Sequence, residues 1–210
     1  MSLPRDSAIT VKAAILWALS EEMRRDPDIC VIGEDVGAAG GVFEQTKGLF
    51  EEFGRDRVID TPISEAAIFG LAVGAAMTGL RPVVEIMFGD FMTLVMDQLV
   101  NQAAKVSYLS AGGFSAPLVL RTAVGVGGNL GAQHSQSFHA WAAHVPGLKL
   151  AMPSTASDAA GLMKAAIRDD GPVVFIEDRM TYNLKEPVPD DDQVVPLGEQ
   201  RVEKPVRSQR

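Results

Sequence analysis

The 210-residue sequence predicts an α/β protein with a largely parallel sheet flanked by helices, and three observations carry that prediction. Short β-branched runs alternate with longer segments of helical apolar spacing, the pattern of repeated β/α units. Hydrophobic residues make up 47% of the chain and charged residues 22%, enough apolar material for one substantial core. From Tyr182 onward the character changes, and KEPVPDDDQVVPLGEQRVEKPVRSQR is proline-containing and charged with no sustained apolar period. The expected organisation is one α/β domain over 1–185 and a linker or extended tail over 186–210.

A first helix is expected over 10–25, with Thr10 as its N-cap, Ala14, Ile15, Ala18 and Leu19 along one face, and charged residues at its end. The apolar run ICVIG at 29–33 reads as a buried strand. It contains Cys30, the single cysteine, which has no partner for an internal disulfide and reads as a small core residue. A strand over 57–60 leads through Pro62 into a helix over 64–78, where Ser64 can cap and Glu65 falls in the first turn. That helix carries Gly70 and Gly74 among alanines, although each costs ~1 kcal/mol relative to alanine. Small residues there suggest close helix packing, including packing between subunits. A strand over 82–87, a helix over 90–109 and a strand over 117–122 follow. The remaining elements are a strand over 148–152, a helix over 155–168 and a strand over 172–177.

The formal net charge of −8 and a pI near 4.9 exclude broad nonspecific attraction to nucleic acid or an anionic membrane surface. The first residues, MSLPRDSAIT, lack the apolar core of a signal peptide, and no stretch reaches the ~20 apolar residues of a membrane helix. A soluble protein of a reducing cytoplasm is expected.

Four features could carry chemistry. Glu65 lies just past a strand, at the sheet edge where open α/β folds bind ligands, though an acidic residue there equally well complements the helix dipole. The glycines at 125, 127, 128 and 131 permit close backbone approach, as a phosphate cradle or as a tight structural loop. Their spacing is not a G-x-G-x-x-G, and no acidic residue closes the following strand as a nicotinamide-dinucleotide site requires. His134, His139 and His144 stand five residues apart, which no helical metal site uses. His134, beside the glycine loop and among polar neighbours, is the catalytic candidate of the three, with a structural role as its alternative. Phe88 and Phe91 in EIMFGDFMT could stack on an aromatic ring or simply fill the core. Neither a G-x-S-x-G elbow nor a Walker A loop is present.

Taken in order, GEDVG at 33–37, DTPISE, EIMFGDF followed by DQLVNQAAK, AQHSQSF and VPGLKLAMPS resemble one family over roughly residues 8–185. The family is the beta subunit of thiamine-diphosphate-dependent 2-oxo acid dehydrogenases of the pyruvate or acetoin type. The resemblance implies a thiamine-diphosphate-binding fold, in its transketolase-like pyrimidine-binding module. It implies that Glu65 is the carboxylate at N1′ of the cofactor's aminopyrimidine, that Phe91 stands against the pyrimidine ring and that Ile63 lines its surroundings. It places His134 near the reacting centre, binding substrate or managing a proton during acyl transfer to a lipoyl arm. The cofactor would serve as electron sink for decarboxylation of pyruvate or a related 2-oxo acid, or for cleavage of acetoin.

By the same resemblance, magnesium and the diphosphate belong to a separate alpha chain, so the active site forms at a subunit interface. A lipoyl acyltransferase component and self-association are further implied. A structural potassium ion would be held by backbone carbonyls at Leu118, Ala166, Ile167 and Asp169. The usual beta subunit continues into a second, transketolase-like C-terminal domain, so a short form or a module that pairs differently is expected. The alternatives to an active enzyme subunit are a noncatalytic interaction module and a split transketolase subunit acting on sugar phosphates.

Overall fold

A computed structural model describes residues 8–187 and 193–198. Six strands form one parallel sheet in the order β3-β2-β4-β5-β7-β6: β2 (Ile29–Gly33), β3 (Val58–Asp60), β4 (Arg81–Phe88), β5 (Val119–Val124), β6 (Lys149–Ala151) and β7 (Val173–Asp178). All six strands expected from the sequence are present, with ends shifted by up to two residues. Their side chains alternate between faces, as a strand's two-residue period requires. Val31, Val83, Val119 and Val173 face one core layer, while Ile32, Val84, Leu120 and Val174 face the other. Both faces are covered, which is why the strands read as continuous apolar runs.

The first layer is made by α1 (Val11–Arg25) and α6 (Ala156–Arg168), which pack on each other. Each begins on a threonine whose hydroxyl accepts from the backbone three residues on: Thr10 from Ala13 at 3.2 Å and Thr155 from Asp158 at 3.0 Å. Such a cap satisfies one of the amides a helix start leaves unpaired. The second layer holds α3 (Glu65–Met77), the segment that follows β4, and the short α5 (His139–His144).

The helix expected over 90–109 is broken. Gly89–Val95 is a 3-10 segment, Asp97–Ala103 a π segment, and α4 covers only Val106–Leu109. Three smaller elements lay below the resolution of sequence patterns: α2 (Leu49–Phe53) and the antiparallel pair of β1 (Ala8–Thr10) with β8 (Lys185–Pro187). This pair ties the two ends of the domain together. Beyond it, the expected tail at 186–210 lies largely outside the described residues. Within 193–198 the Val195 amide donates to the Gly161 carbonyl at 3.2 Å, and Leu197 packs against the first core layer.

The chain leaves β2 toward β3 on one side and returns to β4 on the other. The carboxyl ends of β2 and β4 therefore flank a point where the strand order reverses, the position at which open parallel sheets leave a crevice.

Candidate active site at the carboxyl edge of the sheet

Glu65, Ile63, Phe91, the glycine loop and the three histidines lie on connections leaving this edge, and Phe88 closes β4 at it. Glu65 opens α3 just after β3, and only 9% of it is exposed. Among the described residues no side chain or amide donates to its carboxylate, which leaves its oxygens open to a donor from outside the chain. Ile63, two residues earlier, is 81% exposed, a large apolar side chain open to solvent.

Glu34, directly after β2, is a neighbour that sequence reading did not single out. Its carboxyl is held above the usual carboxylate range by burial first, then by the negative charges of Glu65 and Asp35. Next to it, the Gly37 amide donates to Asp60 Oδ1 at 2.7 Å, joining the β2 loop to the end of β3. A Cβ at position 37 would stand 2.3 Å from Asp60 Oδ2, so glycine is required by this approach.

The end of β4 presents the aromatic wall. The register against β5 shifts between Ile86 and Phe88, a bulge that re-aims Phe88. The 3-10 segment beginning at Gly89 then sets Phe91 beside it. The Phe88 and Phe91 rings meet edge to face at 5.8 Å, and the His134 imidazole packs edge to face on both, at 4.7 and 5.2 Å. Phe88 is buried, and Phe91 is half-buried and packs against the second core layer.

His134 lies in the long connection 125–138 after β5. Gly125, Gly127, Gly128 and Gly131 all take positive φ, as does Asn129. They form a tight structural loop that leads into a 3-10 turn, Ala132–His134, and not into the start of a long helix. Two side chains anchor the loop. Asp90 Oδ1 accepts from the Gln136 side chain at 2.7 Å and from its amide at 3.4 Å. Arg179, just after β7, donates to the carbonyls of Val124, Gly125 and His134. His139 and His144 are exposed on α5 away from this cluster, and no group of three metal-ligating side chains occurs among the described residues.

Beneath the edge lies an ionic centre missed from sequence. Arg121 of β5, 2% exposed, donates to Glu85 of β4 at 2.9 Å and to Glu177 of β7. Tyr182 donates to the other Glu177 oxygen at 2.7 Å and accepts from Gln45 at 2.6 Å. Tyr182 and Arg179 also line a cavity of about 570 Å³ at this edge, together with Phe43 and the glycines at 127 and 128. On the opposite, amino side of the sheet, the Ile167 and Asp169 carbonyls accept from Arg81 at 2.9 and 2.6 Å, and the Leu118 carbonyl accepts from the Val173 amide.

Fold and site together define an α/β module that sets a carboxylate, an aromatic pair and an imidazole on connections at the carboxyl edge of one parallel sheet. Residues 7–185 match the family described as transketolase, pyrimidine binding domain, and the chain belongs to that family. It is 48% identical over 197 residues to the pyruvate dehydrogenase E1 component subunit beta of Rhizobium meliloti (strain 1021), covering 93% of this chain and 43% of that one. It is 49% identical over 192 residues to the 2-oxoisovalerate dehydrogenase subunit beta of Bacillus subtilis (strain 168), covering 91% and 59%. The chain thus spans about half the length of these relatives. Among solved structures, a transketolase from Leishmania mexicana superposes with a TM-score of 0.67 at 19% identity, over 85% of this chain and 26% of that one, a likeness of fold alone. The resemblance expected from the five sequence blocks is borne out. Among the described residues, no helix is long and apolar enough to cross a membrane.

Proposed function

We propose that this chain is the pyrimidine-side half of a thiamine-diphosphate-dependent 2-oxo acid dehydrogenase, acting on pyruvate or a related 2-oxo acid with an alpha-type partner. The observation that carries the proposal is the Glu65 carboxylate: on a residue only 9% exposed, close enough to Glu34 after β2 to raise that carboxyl, and with no donor of its own among the described residues. A ring nitrogen of weak basicity is the complement such a group lacks. The relatives at 48–49% identity are both titled as dehydrogenase beta subunits, which supports this reading over a split transketolase.

When bound, thiamine diphosphate supplies the electron sink for loss of carbon dioxide. Glu65 would hold a proton at N1′ of the pyrimidine, Phe91 would press its ring against the pyrimidine, and Ile63 would line the opening. His134, its ring set between Phe88 and Phe91, would bind substrate or move a proton while the acyl group passes to a lipoyl arm. Magnesium and the diphosphate would be held by the alpha chain, and the 81% exposure of Ile63 fits a wall that a second chain completes. A lipoyl acyltransferase and self-association belong to the same reading. So does a potassium ion at the carbonyls of Leu118, Ala166, Ile167 and Asp169. Arg81 takes one lone pair from Ile167 and one from Asp169, leaving each carbonyl a second.

The test mixes the chain with its alpha-type partner, thiamine diphosphate and magnesium, and follows reduction of an artificial electron acceptor driven by a 2-oxo acid. Turnover is expected and should fall at least ~100-fold in Glu65→Ala, the scale of losing a positioned acid or base. A complex that forms yet turns over neither pyruvate nor any other 2-oxo acid would sink the proposal.

A further inference from the structure

We propose that Arg179 is a positioning residue for His134, clamping the backbone of the glycine-rich loop so that the imidazole keeps its place between Phe88 and Phe91. The inference rests on the reading of His134 as a group of the reacting centre.

The loop 125–138 cannot hold itself. Five of its residues take left-handed backbone conformations, four of them glycines. Its internal hydrogen bonds are few: the Ser135 hydroxyl to the Gly131 carbonyl at 2.8 Å and the His134 amide to the same carbonyl at 3.4 Å. Among the described residues, apart from the Phe138 carbonyl, which accepts from the Trp141 and Ala142 amides as α5 begins, its hydrogen bonds to the rest of the chain come through two side chains. Asp90 takes the stretch after the histidine, at Gln136. Arg179 takes the rest. Its Nη2 donates both to Gly125, at the loop's start, and to the His134 carbonyl at 2.8 Å, while Nε donates to Val124, the last residue of β5, at 3.3 Å.

One guanidinium therefore joins the two ends of the loop segment that carries the histidine. It also lies over the Phe88 ring, 5.5 Å from its centre, and that ring packs on the imidazole at 4.7 Å. Arg179 acts on His134 from two directions, through its carbonyl and through the ring beneath it. The planar fork is essential to this, because three carbonyls in different directions need donors on two nitrogens; a lysine ammonium brings the charge without the fork. Arg179 also lines the 570 Å³ cavity, so the competing role is direct binding of a substrate anion, and the two roles separate kinetically.

The test uses the full chain, as wild type, Arg179→Ala and Arg179→Lys. In the assembled complex, Arg179→Ala should lose about 10- to 100-fold in kcat with KM changed less than about 3-fold, since a displacement near 1 Å costs on that order. Arg179→Lys should recover little, and added guanidinium ion should restore part of the Arg179→Ala rate. Independently of turnover, the His134 imidazole carbon–proton resonance of the chain should be a single line in wild type, shifted or broadened in Arg179→Ala and returned toward wild type by guanidinium. An unchanged His134 resonance together with kcat within 3-fold of wild type would overturn the clamp. So would a rise in KM of about 10-fold at constant kcat, the mark of an anion-binding arginine. If the wild-type complex shows no turnover, the proposed function fails while the resonance still decides the clamp. If Arg179→Ala does not melt cooperatively, Arg179→Lys carries both arms.

Discussion

Replacing Arg121 with alanine would leave two carboxylates facing each other across a void in the middle of the sheet. Glu85 and Glu177 are 7% and 1% exposed, and Arg121 is the cation between them. An exposed ion pair contributes little, but removing one partner of a buried pair strands an uncompensated charge and costs about 3–5 kcal/mol. For a domain of this size each kcal/mol moves the melting temperature by about 2–4 °C, so a fall of about 6–20 °C is expected. The loss has a predictable pH dependence. Burial pushes the Glu85 carboxyl above the usual range, the Arg121 charge opposes that rise, and Glu177 adds to it, so without Arg121 the rise is larger. A carboxyl whose folded value is raised contributes stability fully below its unfolded value, about 4.3, and loses it as pH climbs through the folded value. The variant's deficit should therefore be largest near pH 7.5 and shrink as pH falls toward 5. Urea denaturation followed by circular dichroism at both pH values measures it, and adding Glu85→Gln to the variant should recover part of the loss at neutral pH. A deficit below about 1 kcal/mol at pH 7.5, or one that does not shrink on acidification, would refute the assignment of Arg121 as the charge that holds this centre together.

Two further outcomes follow from single contacts. Burial pushes the Cys30 thiol up to about 11 against the opposing charge of Arg57, so roughly a thousandth of it is thiolate at pH 8; a disulfide reagent should leave the native thiol untouched and titrate one equivalent after denaturation, and rapid native reaction would place Cys30 at the surface. Gly37→Ala should cost about 1–3 kcal/mol in urea denaturation, because its Cβ would displace the Asp60 carboxylate that accepts from the residue 37 amide; a change under about 0.5 kcal/mol would mean that the β2 loop is held to β3 by something else.

The sheet was legible in the sequence because both of its faces are buried: ICVIG, VVEIM, VLRTA and VVFIE announce themselves as apolar runs, and the helices between them follow from caps at Thr10 and Thr155. The 90–109 region misled because its apolar spacing fits a helix of any pitch, and composition does not report the number of residues per turn. Glu65, Phe91 and His134 could be picked out because motif blocks surround them. The Arg121 centre left a signal that went unread: a charge in the interior of each of three buried strands, Glu85 in β4, Arg121 in β5 and Glu177 in β7. Only the pairing of Glu85 with Arg121 across β4 and β5, and the sheet order that puts β7 next, shows that the three belong together. Arg179 left none, since its partners are backbone carbonyls that any sequence would supply.

The change of pitch after β4 sets a limit on engineering this protein. Met92, Val95, Leu99 and Ala103 are all buried along this stretch, although its pitch changes from a tight 3-10 turn to a wide π turn. Both forms are less favourable than the α-helix, and at seven residues each both are long for their kind, so ordinary surface redesign toward strong helix formers would push the stretch to uniform α pitch. A uniform helix would turn Phe91 about the axis relative to Leu99, since each 3-10 residue advances about 120° against about 100° for an α residue and the start of the π segment offsets only part of the difference. The substitutions that would raise the melting temperature of this stretch are thus the ones that would swing the aromatic wall off the histidine, and thermostable variants should be sought on α1 and α6 instead.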